Sequence, residues 1–363
     1  MAEAAGPTSG PDILELIAPL SPFAMLEFCR AVFESGAAPE QIPTADYAKL
    51  AEHDPAELRA VYDRLVHSYP ELGELSAGPS TVEPARAMFL RMFYELLSRS
   101  NAAAKMGFLN LGYDLEPGEP APRLDPEDEP NRYSIQLYHQ LFSAAFGPAR
   151  VAGKDLVEVG CGRGGGCDYV ARYLGPRSVT GVDITRASID YCRRSYTAPG
   201  LDFVVGQATA LPLADGCCDL VFNLESSHCY PSMPAFLAEV ERILRPGGHL
   251  LLSDIRHAER LSRGYEPVAV LDAQLAATGL ELLERRDITA AVARAIERDG
   301  SALTARWDAA LAQTAGLGAD AAAYCRKHFR YAVGVSNEDQ VTWHQRFVER
   351  SHIYLSYVLC KPL

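Results

Sequence analysis

The 363-residue chain contains no apolar run approaching the length of a membrane-spanning helix. Its N-terminus, Met-Ala-Glu-Ala-Ala-Gly-Pro, lacks the basic start and apolar core of a secretory signal. The nine cysteines are odd in number and scattered, with no CxxC pair. That excludes a disulfide framework and fits reduced thiols. Positive charge is in short supply: 34 Lys and Arg stand against 47 Asp and Glu, a net charge of −13. An acidic surface opposes non-specific attraction to nucleic acid or to anionic membrane. Internal repeats and low-complexity tracts are missing from the sequence. His249, His257, His328, His344 and His352 do not stand at metal-ligand spacing, so no metal is expected. These absences predict a cytoplasmic protein with no nucleic-acid partner and no membrane span.

What is present is a globular composition, 48% apolar and 22% charged, long enough for one large core and a second domain. Residues 1–12 read as a flexible lead. From 13 to 114 the apolar residues recur at helical spacing, with Leu14 and Ile17 and then Phe23, Leu26, Val32 and Phe33. This predicts an N-terminal helical lid or docking domain, with a homodimer contact as one use for it. A Pro- and acid-rich linker follows at 115–131. The core is predicted over 132–363. Strands are expected near 154–159, 179–183, 202–206, 218–224, 248–254, 280–286 and 353–360. Helices are expected at 165–174, 186–196 and 233–244, with a helical insertion at 288–346. Alternating strands and helices imply an α/β fold, a parallel sheet with helices on both faces.

The richest stretch is Asp155-Leu-Val-Glu-Val-Gly-Cys-Gly-Arg-Gly-Gly-Gly166. It reads as a buried strand, a glycine turn and the start of a helix. Glycine lets the backbone turn tightly and approach a ligand without a Cβ in the way. A helix N-terminus behind it offers unpaired N–H groups. A second strand, Ser178-Val-Thr-Gly-Val-Asp183, ends in an acid suited to accept from both ribose hydroxyls. A dinucleotide site would read G-x-G-x-x-G. Here Glu158, Gly160, Gly162 and Gly164 are spaced Glu-x-Gly-x-Gly-x-Gly. A carboxylate at 158 would repel a pyrophosphate but suits the cationic end of S-adenosylmethionine (SAM). The spacing resembles that of SAM-dependent methyltransferases of the Rossmann-like class, whose spent cofactor is S-adenosyl-L-homocysteine.

A methyl on positive sulfur is already activated, so the protein must align the acceptor and exclude water. A hydroxyl acceptor also needs a base. In a parallel sheet the ligand crevice lies at the carboxyl ends of the strands. The segment Phe222-Asn-Leu-Glu-Ser-Ser-His-Cys-Tyr-Pro231 sits at such an end, and so does Asp254 in Leu251-Leu-Ser-Asp-Ile255. His228 is therefore the candidate general base, since imidazole titrates near neutrality. Asp254 is its orienter, and Glu225 is a third catalytic candidate. The plainer alternatives are a histidine bonding its own loop, a strand-end turn for Asp254 and a helix cap for Glu225.

The cofactor set is Glu158, Gly160, Cys161, Gly162, Gly164, Asp183, Ile184, Gln207, Ala208, Asn223 and Tyr138. Gln207 stands where SAM enzymes usually carry an acid, yet its amide can both accept from and donate to an adenine edge. Cys161 and Cys167 read as small packing thiols. Tyr133, His139 and Tyr230 are the candidate acceptor contacts, His139 being a second possible base. Against this, tyrosines at helical spacing also suit amphipathic core.

Val157-Glu-Val-Gly-Cys-Gly-Arg-Gly-Gly-Gly166, Thr180-Gly-Val-Asp-Ile184, Glu225-Ser-Ser-His-Cys-Tyr-Pro231 and Phe236-Leu-Ala-Glu-Val-Glu-Arg-Ile-Leu-Arg-Pro-Gly-Gly-His249 resemble the phthiotriol/phenolphthiocerol dimycocerosate methyltransferases. The resemblance covers 131–290 well and 291–363 more loosely. It implies SAM-dependent O-methylation of lipid or polyketide hydroxyls. Related sugar O-methyltransferases carry a histidine base after the fourth strand and an acid after the fifth, positions matched by His228 and Asp254. The segment Gly107-Phe-Leu-Asn-Leu-Gly-Tyr113 is similar to O-methyltransferases that work beside polyketide synthases, which implies a free or carrier-protein-bound acceptor. Two other functions stay open. One is carbon methylation of an isoprenoid or polyketide, with Glu225 and tyrosines steadying a cation. The other is a SAM-binding scaffold that transfers nothing.

Overall fold

The computed structural model describes residues 106–145, 151–259, 266–312 and 342–363. All of them belong to one of two compact units, Tyr94–Gln313 with Arg330–Leu363, the other being Met1–Phe93 with Thr314–Phe329. The expected lead, the expected helical domain up to residue 105, and residues 313–341 of the expected insertion lie outside the described residues.

A short 3-10 turn, Glu129–Asn131, with a proline at its start, leads into α1, Arg132–Ala145. Every residue of α1 from Ser134 to Phe142 is buried, the polar Gln136, His139 and Gln140 along with the apolar Ile135, Leu137, Tyr138, Leu141 and Phe142. There follow β1 (Asp155–Val159), α2 (Gly165–Tyr173), β2 (Ser178–Asp183), α3 (Arg186–Ser195), β3 (Leu201–Val205) and β4 (Cys218–Leu224). Then come α4 (Met233–Ile243), β5 (Leu244–His257), α5 (Val268–Ala276), β6 (Glu281–Asp287), α6 (Thr289–Ala312), α7 (Trp343–Val348) and β7 (His352–Cys360). The strands form one seven-stranded sheet in the order β3-β2-β1-β4-β5-β7-β6.

Alternation along each strand sends side chains to opposite faces. β5 turns Leu251 and Ile255 into a core shared with α1, α2, α3, α6 and α7, and Leu250 and Leu252 into one shared with α4 and α5. β1 likewise turns Leu156 to the first core and Val157 and Val159 to the second. Helices thus cover both faces, as expected for this class.

Two features differ from the expectation. β1, β2, β3, β4 and β5 pair in parallel, but β7 runs antiparallel to both β5 and β6, so the sheet is mixed. The connection from β6 to β7 is long enough to return the chain at either end of the sheet, so alternation alone does not set the direction of the last strand. β5 also starts earlier than expected. Its ladder with β4 pairs Cys218 with Leu244 and resumes at Leu220 with His249, looping out the Arg245-Pro-Gly-Gly248 turn.

The end of the expected helical domain and the expected linker after it are tied to the core by charge. Asp114 pairs with Arg294 at 3.1 Å and Arg298 at 2.7 Å, and Glu119 pairs with Arg286 at 3.0 Å. The Tyr113 hydroxyl donates to Glu119 at 2.9 Å. These ties place residues 106–114 across the end of the sheet where the site lies.

Candidate active site

The glycine turn lies between β1 and α2 and is fixed from the β2 side. The N–H groups of Gly160 and Cys161 donate to the Val182 carbonyl at 2.8 and 3.0 Å. Gly160 has φ +74, and a Cβ there would lie 2.0 Å from Ser226 Oγ and 2.6 Å from Tyr230 OH. Only glycine fits that position. Gly162 has φ +52, and a Cβ there would meet only Leu109, at 3.5 Å. The Cα side of Gly162 is thus far less crowded than that of Gly160. The Gly162 N–H donates to Asp183 Oδ2 at 2.9 Å, and the Thr185 N–H donates to Asp183 Oδ1 at 2.8 Å. The acid closing β2 is thus bolted to the turn it was expected to work with. Gly164 precedes α2, and Ile184 is partly buried after Asp183. An uncrowded glycine backbone beside a backbone-anchored carboxylate fits a nucleoside cofactor.

Glu158 is fully buried behind this turn. Tyr138 OH donates to its Oε1 at 2.9 Å, and Cys167 Sγ donates to Oε2 at 2.8 Å. Burial pushes the Glu158 carboxyl up to about 8, the two bonds only partly offsetting it. An acid whose pKa is raised by folding stabilises the fold when protonated, and that stability is lost as pH climbs from the unfolded value toward the folded one. Glu158→Gln is therefore expected to gain stability relative to the wild type between about pH 5 and 8, with a slope approaching about 1.4 kcal/mol per pH unit. Urea unfolding midpoints of the two proteins across that range check this. A constant difference would remove Glu158 as a titrating group.

At the adjoining strand ends the structure joins His228 to Asp254. His228 lies in a 3-10 turn, Ser227–Cys229, after β4, and Asp254 lies within β5. His228 Nδ1 is 2.6 Å from Asp254 Oδ1, and the His228 backbone N–H donates to Oδ2 at 2.8 Å. Ser227 Oγ donates to the same oxygen at 2.5 Å. Burial lowers the pKa of His228, but the Asp254 carboxylate outweighs this and raises it above the ordinary imidazole range. Burial works against the Asp254 carboxylate too, yet the charges of His228 and Arg256 hold it well below the usual range.

Glu225 directly follows β4 with φ +48, a strained value for a residue with a Cβ. Its Oε1 accepts from the Leu111 N–H at 2.9 Å and from Tyr354 OH at 2.8 Å. Burial raises its pKa to about 7. The strap containing residues 107–111 thus runs from the glycine turn, where Gly107 O accepts from the Gly165 N–H at 3.0 Å, to Glu225.

Other expected residues take different places. Asn223 Nδ2 donates to the Val159 carbonyl at 2.7 Å and contacts Tyr230 OH at 2.7 Å. The Tyr230 hydroxyl also bonds Ser226 Oγ at 2.5 Å and donates to Val159 O at 3.1 Å. These three side chains form a strut between β1 and β4, filling the space that Gly160 leaves. His139 Nδ1 bonds Tyr169 OH at 2.7 Å, away from the Tyr138–Glu158 pair. Tyr133 uses its carbonyl to accept from the Tyr113 N–H at 2.9 Å, which fixes the strap. Gln207 turns the chain after β3 by accepting from the Ala210 N–H at 3.1 Å, and Ala208 packs partly against the second core. The acidic trio Asp125, Glu127 and Asp128 gathers within metal-ligand reach, but Arg172 pairs with each, at 2.8, 3.3 and 2.9 Å.

Two participants were missed by sequence reading, Arg256 and Tyr354. Arg256 was legible in principle, because residues two apart on a strand share a face and Asp254 had been singled out. No helix among the described residues is long and apolar enough to cross a membrane.

Residues 157–252 match the methyltransferase domain family. The chain is 43% identical over 209 residues, 58% of its own length and 73% of its relative's, to phthiotriol/phenolphthiotriol dimycocerosates methyltransferase 1 of Mycobacterium ulcerans. It is 41% identical over 213 residues, 59% of its length and 73% of the relative's, to a fatty-acid O-methyltransferase of Mycolicibacterium smegmatis. Among solved structures it resembles the [4+2]-cyclase SpnF at 19% identity and a TM-score of 0.55, covering 76% of this chain and 95% of that one. That last likeness concerns the fold alone.

Proposed function

The chain belongs to the SAM-dependent methyltransferase family that includes the phthiotriol/phenolphthiotriol dimycocerosates methyltransferases, and on that premise we propose that it methylates a hydroxyl oxygen of a lipophilic, polyketide-like acceptor. The observation that carries this reading is the His228–Asp254 pair at 2.6 Å, set where the parallel ladder between β4 and β5 ends. An oriented imidazole is what a hydroxyl acceptor requires and a preformed carboxylate does not.

When bound, SAM supplies the electrophilic methyl and, after transfer, a neutral thioether as leaving group. Asp183 would accept from the ribose hydroxyls, its plane held by the Gly162 and Thr185 N–H groups. The residues 107–111 strap excludes water from the crevice. Asp254 keeps the Nδ1 proton of His228 in place, so Nε2 of the neutral ring is the basic atom. His228 takes the hydroxyl proton at Nε2 as the C–O bond forms, and Asp254 pairs with the resulting imidazolium. The acceptor is a free small molecule or the same chain on a carrier protein.

Incubation with methyl-labelled SAM and a panel of long-chain secondary alcohols, phenols and fatty acids tests the reading. Mass spectrometry is expected to find the label on a hydroxyl oxygen. Label on carbon, label on carboxylates alone, or no label from any acceptor would count against it.

A further inference from the structure

We propose that Arg256 is a positioning residue of the transfer reaction, anchoring Asp254 and sharing its negative charge so that His228 can take up and release a proton. The inference rests on His228 being the base, as argued above. Arg256 is 2% exposed and its Nη1 lies 3.0 Å from Asp254 Oδ2. Its Nη2 donates to Ser227 Oγ at 2.8 Å, and that hydroxyl donates to the same Asp254 oxygen. Asp254 thus divides its two oxygens. Oδ1 takes the His228 ring and the Ile255 N–H, and Oδ2 takes Arg256, Ser227 and the His228 backbone.

A guanidinium has five donors in a rigid fork. One further Arg256 bond returns to its own strand, to the Ile255 carbonyl at 2.8 Å, while the buried Nε has no hydrogen-bond partner. A group kept for stability alone would be poorly served by that arrangement. Burying an ion pair often adds nothing over apolar residues of similar volume, and an unsatisfied donor adds a further cost. The placement makes sense at the site. A lone buried carboxylate would grip the imidazolium more tightly still and leave even less neutral ring. A cation on its far oxygen weakens that grip without removing the hydrogen bond that sets the tautomer. The other titratable groups about His228 are Cys229 in the same turn, Glu225 at the end of β4 and Tyr354 on β7, which bears on Glu225 and Asp254. Of the groups named here, Arg256 alone brings positive charge to Asp254 besides His228 itself.

The test is Arg256→Gln, neutral but still a donor, with Arg256→Met as the second variant should the first not fold. NMR titration of the His228 imidazole, in the free protein and with the spent cofactor bound, reads the coupling directly. Removing the positive charge that offsets Asp254 leaves the carboxylate's full pull on the imidazolium and is expected to move the His228 titration up by about one pH unit or more. The rising limb of the turnover–pH profile should move with it, and the affinity for SAM should stay within about threefold. Arg256→Lys should return the titration part of the way toward the wild type. A folded variant whose His228 titrates as in the wild type would overturn the proposal. A shifted titration with an unmoved turnover profile would leave Arg256 coupled to His228 but strike out His228 as the base.

Discussion

Replacing His228 by alanine is expected to lower turnover about a thousandfold, within the range a positioned base contributes, while SAM affinity stays within about twofold. The fold should survive because Asp254 is not orphaned. It keeps the Ser227 hydroxyl at 2.5 Å, Arg256 at 3.0 Å and the backbone N–H of Ile255 at 2.8 Å, and residue 228 still donates its own N–H at 2.8 Å. The loss should therefore fall on the chemical step. The pH dependence sharpens the test. The Asp254 carboxylate raises the pKa of His228, so the neutral ring is the minor form near pH 7 in the free protein. Only the neutral ring is a base, so wild-type kcat/KM should climb as pH rises through the raised value, above the ordinary imidazole range near 6.5. The alanine variant should lose that limb. Steady-state rates from pH 6 to 10, with calorimetric SAM titrations, decide it. A variant within about threefold of wild-type turnover takes His228 out of the mechanism.

Much of this fold could be read before any coordinates. Cys218–Leu224 stands at the bounds that its apolar run and flanking residues indicated, and the glycine turn sits between a strand and a helix as its spacing required. Those features are local, so local pattern reports them. The direction of β7 is not local, and no periodicity in residues 288–351 encodes it. The site divides along the same line. His228 and Asp254 were paired by strand-end logic, which is topological, and the structure brings them together. Tyr138 and His139 are neighbours on α1 and point about 100° apart. Tyr138 meets Glu158, so His139 is turned toward Tyr169. Which of the two faces the sheet depends on the seating of the helix, and sequence spacing does not fix that. Tyr230 and Asn223 were expected at ligands, yet they bond each other and the Val159 carbonyl. The missing Cβ of Gly160 makes room for that strut. A glycine read only as access for a cofactor was also access for the protein's own side chains.

Asp183→Ala is expected to weaken SAM binding about a hundredfold or more. A carboxylate accepting from two ribose hydroxyls forms two charge-assisted hydrogen bonds, each worth about 1.5 kcal/mol or more, and about 3 kcal/mol corresponds to roughly a hundredfold in affinity. The change also strips the Gly162 N–H of its acceptor at 2.9 Å and the Thr185 N–H of its acceptor at 2.8 Å. The glycine turn then loses the tie that holds it in a binding-competent shape. The sheet itself should be spared, because Gly160 and Cys161 remain bonded to the Val182 carbonyl and β2 keeps its ladders to β1 and β3. Asp183→Asn separates the two contributions. Its amide oxygen can still accept one N–H, which preserves part of the turn, but its NH2 cannot accept from a hydroxyl. It should fall between the wild type and Asp183→Ala. Calorimetry with SAM and with S-adenosyl-L-homocysteine measures the affinities, and loss of the cofactor-induced rise in Tm provides an independent reading. If Asp183→Ala binds both ligands within about threefold of the wild type, the ribose is held elsewhere and the glycine turn is not where the cofactor sits. If both variants bind equally weakly, the hydroxyl contacts dominate and the turn stands without its anchor.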